Sequence, residues 1–204
     1  MIHAILPFCK QKPQPRAIDF LQKVMQAHSD AASKNMPAST QLAVIQGQLG
    51  MPMETAITAA INSIGGTHAP VTTTRTLWFY QLQALNHEQS AWKDALREVV
   101  ASGQKIPGFG HSIHKNGIAP ELKAADDSLR AQFPLAAAFL DDATAIVQEK
   151  HPSLFPNMAL YTALACELVQ LQFGVESMIF ILSRLPIWAG AWVNAMAGGK
   201  PKEA

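Results

Sequence analysis

Apolar residues in this chain recur at spacings of three and four, and no stretch alternates apolar with polar residues for long enough to make a strand. Over 16–33, Ala17, Ile18, Leu21, Val24, Met25 and His28 fall on one face of an amphipathic helix. Ser39 and Thr40 offer caps for a short helix ending at Gly50, and Pro52 stands where a first-turn proline is tolerated. Residues 53–64 interleave alanine with Ile57, Ile61 and Ile64 before Gly65-Gly66. Small residues of this kind let two helices approach closely. Further helices are predicted at 73–86, 89–102, 120–132, 135–150, 157–173, 176–184 and 187–196, separated by Gly or Pro. The pattern predicts an all-α fold.

Charge is scarce. Only 15% of the 204 residues are charged and 49% are hydrophobic, with 16 basic against 15 acidic side chains. Disordered chains have the opposite composition. No basic cluster of the kind that neutralises phosphates is visible, so nucleic acid is not an expected partner. The N-terminus lacks the basic start of a signal peptide, and the apolar stretch 178–199 is interrupted by Arg184, Pro186 and Asn194. A buried helix pair fits that stretch better than a membrane span. Cys9 and Cys166 lie far apart without metal-ligand spacing. Cys166 reads as a small core residue. A cytoplasmic protein is expected, forming a single unit over 1–204 with a smaller lobe at about 104–152.

With so few charges, each ionisable residue in a loop or an apolar run is a candidate. Two segments interrupt the helical pattern, 65–70 and 103–119, and they contain His68, His111 and His114. A structureless loop as long as the second is usually functional or mobile. Histidine donates or accepts a proton near neutral pH. Glycines beside it free the backbone to approach a ligand, and bare N–H groups there can hold an oxyanion or phosphate. The same glycines are readable as turn residues and the histidines as ordinary loop residues. No Cys or carboxylate is spaced to complete a metal shell with His111 and His114, so no metal is expected. His114 and Lys115 could close over a carboxylate or phosphate, or form an exposed polar pair. Arg184 interrupts Met178-Ile179-Phe180-Ile181-Leu182-Ser183-Arg184-Leu185, so it should meet an anion, from a ligand or from Glu167 or Glu176. Trp188 and Trp192 read as core or interface residues, and the Asp126-Asp127 and Asp141-Asp142 pairs as exposed.

Ile106-Pro107-Gly108-Phe109-Gly110-His111, followed by Ile113-His114-Lys115, resembles the Pro-Gly-(Phe/Tyr)-Gly-His loop of the citrate synthase family. Other features follow in the family's order. Ala38-Ser39-Thr40 resembles the end of its Asn-Ala-Ser-Thr segment, and 65–69 takes the place of its Leu-His-Gly-Gly turn. Pro156-Asn157 opens its Pro-Asn-Val-Asp segment. Phe180-Ile181-Leu182-Ser183-Arg184 with Trp188 resembles its Phe-x-x-x-Arg…Gly-Trp run. The resemblance covers about 35–202, the C-terminal half of a full-length synthase. It implies an α-helical homodimer in which a large and a smaller helical domain enclose the site. It also implies a carbon–carbon bond made or broken between an acyl-CoA and a 2-oxo acid, with the CoA thioester as substrate and no permanent cofactor. By position His68 would hydrogen-bond the enol and His111 would polarise the oxo-acid carbonyl. Arg184, with His114 and Lys200, would bind the oxo acid, and the backbone of Pro107, Gly108, Phe109 and Gly110 would approach CoA.

The departures fall inside the site. Ala159 stands at the position of the catalytic aspartate, and a methyl group cannot take a proton. Ala119-Pro120-Glu121 replaces Asp-Pro-Arg, and Lys34 replaces a histidine. Lys200-Pro201 stands where an arginine would reach the partner subunit's site, keeping the charge without the bidentate fork. Ala69-Pro70 stiffens the turn after His68. Glu167 lies two helical turns beyond Ala159, about 12 Å along the axis, so it is no simple replacement base. Three readings follow: an enzyme of the citrate synthase or citryl-CoA lyase type with an altered substrate, a catalytically silent relative serving as sensor or partner subunit, or a purely structural helical dimer.

Overall fold

The computed structural model describes residues 2–64, 71–78, 91–111 and 114–198. Among these the fold is all-α, without strands, and two isolated bridges join Cys9 to Leu171 and Phe109 to Pro156. After two short 3-10 turns, Ile2–Ala4 and Leu6–Phe8, the helices are α1 (Pro15–Asn35), α2 (Ala38–Gln48), α3 (Met53–Asn62), α4 (Val71–Arg75) and α5 (Ala91–Ala101). A 3-10 turn at Pro120–Leu122 leads into α6 (Lys123–Gln132), followed by α7 (Pro134–Lys150), α8 (Met158–Leu168) and α9 (Ser177–Met196).

Local chemistry sets the ends. Pro15 and Pro134 sit in the first turns of α1 and α7, where a missing N–H costs nothing. α1 stops at Met36, which is left-handed with φ +39° and is followed by Pro37. The Asn157 side chain caps α8 by accepting from the Ala159 N–H at 2.9 Å. α8 ends at Leu168 rather than continuing to 173, because Gln170 turns left-handed at φ +53° and the chain then pairs with the N-terminal segment. That pairing runs from Lys10 N–H to the Gln170 carbonyl and from Gln172 N–H to the Phe8 carbonyl.

The pair of helices predicted at 176–184 and 187–196 is one continuous helix, α9, with Pro186 inside it. A mid-helix proline costs about 3 kcal/mol. Burial on both sides of it offsets that cost, since Phe180 and Trp188 enter one cluster with Ala43 and Ala60. α9 is also long and apolar enough to cross a membrane by length and composition, yet it packs on α1, α2 and α3. The approach to α2 is close: a Cβ on Gly47 would stand 2.8 Å from the Ala195 Cβ and 2.9 Å from the Trp192 carbonyl oxygen. The larger cluster joins α1 and α5–α8 and includes Cys166 and Ala165, both fully buried. The three helices α1, α8 and α9 frame the candidate site.

Candidate functional site

The histidine loop is held by its own buried residues. Ile106 and Phe109 lie in the core, and the Phe109 ring packs 5.5 Å from that of Trp78. The Trp78 Nε1–H donates to the Pro107 carbonyl at 2.7 Å. Asn157 then fastens the loop to the start of α8. Its backbone N–H donates to the Gly108 carbonyl at 2.8 Å and its Nδ2 to the Gly110 carbonyl at 2.9 Å.

This arrangement corrects one sequence expectation. The N–H groups of Phe109 and Gly110 are not bare, since they donate to the Ile106 and Phe155 carbonyls. Gly108 is required for packing: φ is +87°, and a Cβ there would stand 2.9 Å from Thr74 Cγ2 and 3.0 Å from Leu160 Cβ.

His111 follows the clamp directly. Its Nδ1 accepts the His114 backbone N–H at 3.2 Å, so in the neutral ring the proton sits on Nε2, a hydrogen-bond donor. Burial depresses its pKa first, and the nearby His114 and Lys115 add to the effect, while Glu121 opposes it. His111 is therefore a neutral donor near pH 7, suited to polarising a carbonyl. His114 stacks on it with ring centroids 4.7 Å apart. Lys115 does not close over an anion here; its Nζ donates to the His111 carbonyl at 2.6 Å.

The two substituted positions pair with each other. Lys34 Nζ donates to Glu121 Oε1 at 3.2 Å, and His114 Nε2 lies 4.0 Å from Oε2 of the same carboxylate. Burial raises the Glu121 pKa, but its own backbone hydrogen bond, Lys34 and His114 outweigh that effect and hold it below the usual range. Glu121 is an ionised, partnered carboxylate and a weaker base than a free one.

Arg184 lies on α9. It is 6% exposed, with its guanidinium carbon 4.7 Å from the centroid of the Phe180 ring. Its Nε and Nη1 are buried without hydrogen-bond partners among the described residues. Neither carboxylate considered for it from the sequence is its partner, because both face Arg75. Arg75 Nε binds Glu167 at 2.6 Å and Nη1 binds Glu176 at 2.7 Å, with Nη2 on the Leu171 carbonyl. Burial lowers the Arg184 pKa to about 10, so it remains charged at neutral pH. An uncompensated buried cation is costly and calls for an anion.

His28 of α1 connects Arg184 to α8. It is 2% exposed, meets Phe180 edge-on at 5.2 Å between centroids, and hydrogen-bonds Thr162 through Nε2 at 2.8 Å. Burial, and then the charge of Arg184, push its pKa down to about 3. Beside it, Ser29 Oγ donates to the Ser183 carbonyl at 2.6 Å, fixing α1 against α9.

Of the residues singled out from the sequence, the structure brings His111, His114 and the 106–110 loop together against the first turn of α8. It places Arg184 in a buried polar cluster with His28. His68 and Lys200 lie outside the described residues. Ala159 occupies the first turn of α8, buried and inert. Trp188 and Cys166 are core residues as expected. Asp126 is not exposed as predicted: it accepts from Tyr161 and Arg130, with 13% of its side chain accessible. The sequence reading passed over Arg75, and it took His28 only as part of an apolar helical face. Spacing placed His28 on the buried face, but nothing in the sequence showed that Arg184 would lie opposite.

The comparisons agree with the all-α fold. The family model for the citrate synthase C-terminal domain matches residues 1–201, including the first 34 residues, where no motif was read. No curated protein sequence matches the chain. The chain is similar to a citryl-CoA lyase from Hydrogenobacter thermophilus, with a TM-score of 0.79 and 18% identity over 98% of this chain and 78% of that one. It is also similar to a citrate synthase from Thermotoga maritima, with a TM-score of 0.70 and 18% identity, covering 91% of this chain and 51% of that one. An ATP citrate lyase from Methanothrix soehngenii, solved with citrate and coenzyme A, gives a TM-score of 0.70 at 18% identity, over 94% of this chain and 33% of that one. The chain thus spans about half the length of the synthase and a third of that of the ATP citrate lyase. At these identities the likeness is one of fold.

Proposed function

The chain belongs to the citrate synthase C-terminal domain family, and from that premise we propose that it makes or breaks a carbon–carbon bond between an acyl-CoA and a carboxylate-bearing oxo acid, with an altered substrate. Arg184 carries this reading. A buried guanidinium whose Nε and Nη1 find no partner among the described residues is matched by a carboxylate ligand and by little else.

In the proposed reaction a proton leaves the carbon next to the thioester carbonyl, and that carbon bonds to the oxo carbon. The oxo oxygen gains a proton as its π bond breaks; cleavage is the reverse. His111, with Nε2–H as donor, polarises the oxo carbonyl, and fixed donors of this kind contribute a few kcal/mol each. Arg184 holds the carboxylate, with His114 and Lys200 assisting. His68 is the enol partner, and the 106–110 loop lines the CoA side. CoA enters as substrate, with no permanent cofactor.

The substitutions favour an altered acid. Where the family resemblance implies an arginine, Glu121 offers a negative charge already paired with Lys34. The methyl of Ala159 favours a second reading, a silent relative that binds an acyl-CoA or carboxylate as sensor or partner subunit. Formation of a hydroxyacyl-CoA from short acyl-CoAs and a panel of oxo acids, or the reverse cleavage, separates the two. The enzyme reading expects turnover that falls at least ~100-fold in His111→Ala. CoA binding without any turnover would leave only the silent reading, and turnover unchanged in His111→Ala would remove the role given to that residue.

A further inference from the structure

Lys34 and Glu121 stand 87 residues apart in the chain, and each departs from the family pattern inside the site. In the fold they meet: Lys34 Nζ donates to Glu121 Oε1 at 3.2 Å. Glu121 is the buried member, with 6% of its side chain accessible against 59% for Lys34. Drift at two distant positions gives no reason for opposite charges to come together. A single rebuilt corner of the site does.

That corner adjoins His111. The His114 ring stacks on His111 with centroids 4.7 Å apart, and its Nε2 lies 4.0 Å from Glu121 Oε2. The ammonium of Lys34 is already matched by Glu121, so it has no net charge to offer a ligand. A ligand carboxylate brought here would face an anion, and like charges at short range in a partly buried site repel strongly. An alkyl group meets no such repulsion. An arginine at position 121 would have had the opposite effect, holding a second carboxylate with a bidentate fork.

We propose that Glu121, held by Lys34, is a specificity residue that limits the acid to a single carboxylate, so that the partner of the acyl-CoA is a 2-oxo acid with an uncharged tail. This restriction rests on Arg184 being a carboxylate site, as proposed above. Arg184 takes the one carboxylate, His111 the oxo group, and the Glu121 corner the tail.

Calorimetric titration with 2-oxobutyrate and with freshly dissolved oxaloacetate, which carry a terminal methyl and a terminal carboxylate, tests it. 2-Oxobutyrate should bind about 10-fold or more tighter. Glu121→Gln removes the anion and frees Lys34, and should bring oxaloacetate level with 2-oxobutyrate or above it. Lys34→Met leaves the anion unmatched and should widen the preference for 2-oxobutyrate. The double variant should lose part of the oxaloacetate gain seen in Glu121→Gln, a coupling that a merely structural role for Glu121 would not produce. Oxaloacetate binding as tightly as 2-oxobutyrate to the wild type, or a ratio that neither single variant moves, would overturn the role of Glu121 and leave the Arg184 reading standing. Binding of neither acid, or binding that survives Arg184→Met, would overturn the carboxylate site itself. Should Glu121→Gln not fold, the wild-type ratio and the exposed Lys34→Met still decide.

Discussion

A single buried imidazole carries a consequence for stability that the sequence could not announce. His28 has a pKa of about 3 in the folded chain and about 6.5 in the unfolded one. Between these values the unfolded state binds more protons, so stability rises with pH. The contribution is complete above pH 6.5 and is lost as pH falls toward 3. Between pH 8 and pH 5 the loss from this residue is about 2 kcal/mol. Urea unfolding at the two pH values should show that loss in the wild type and a flatter dependence in His28→Gln. Equal slopes in both proteins would mean that the imidazole is not held neutral. Arg184 was legible as a charge in an apolar run, though its Nε and Nη1 find no partner among the described residues. What the sequence left open was which arginine the two glutamates serve. Arg75 takes both, because the left-handed Gln170 turns the chain after α8 back toward α4. That contact depends on tertiary placement, which helical periodicity does not encode.

At the scale of elements, most helices were visible in the apolar spacing, and the two clear differences have physical causes. Pro186 signals a break by propensity, but burial of Phe180 and Trp188 on either side overrides it. The histidine loop was legible as a motif, yet its glycines serve packing before any ligand. Gly108→Ala tests this directly. The new methyl would meet Thr74, Leu160 and Trp78 at a positive φ, at a cost of about 2 kcal/mol or more. Chemical denaturation should show that loss, with turnover impaired because His111 follows the loop. A Gly108→Ala protein as stable as the wild type would mean the loop is not clamped as described.

For the molecule as a whole, the surplus of apolar residues in a chain with few charges has a visible outlet. Ile45, Leu49 and Met51 around the end of α2, and Val193 and Met196 at the end of α9, are exposed. The close approach at Gly47 and the hydrogen bond from Trp192 Nε1 to the Met51 carbonyl bring these two ends together. We propose that a second copy of the chain covers this face, as the family resemblance implies, and sedimentation should then give a dimer that Val193→Lys weakens. A monomer at high concentration would exclude it. The central claim, a working acyl-CoA site without an acid at Ala159, is tested most directly by exchange. Acyl-CoA is incubated with the protein in deuterated water and the protons next to the thioester are followed by NMR. On this account, exchange is expected above the solvent rate and should fall at least ~100-fold in His68→Ala. Exchange no faster than in solvent, with every acyl-CoA that binds, would contradict it.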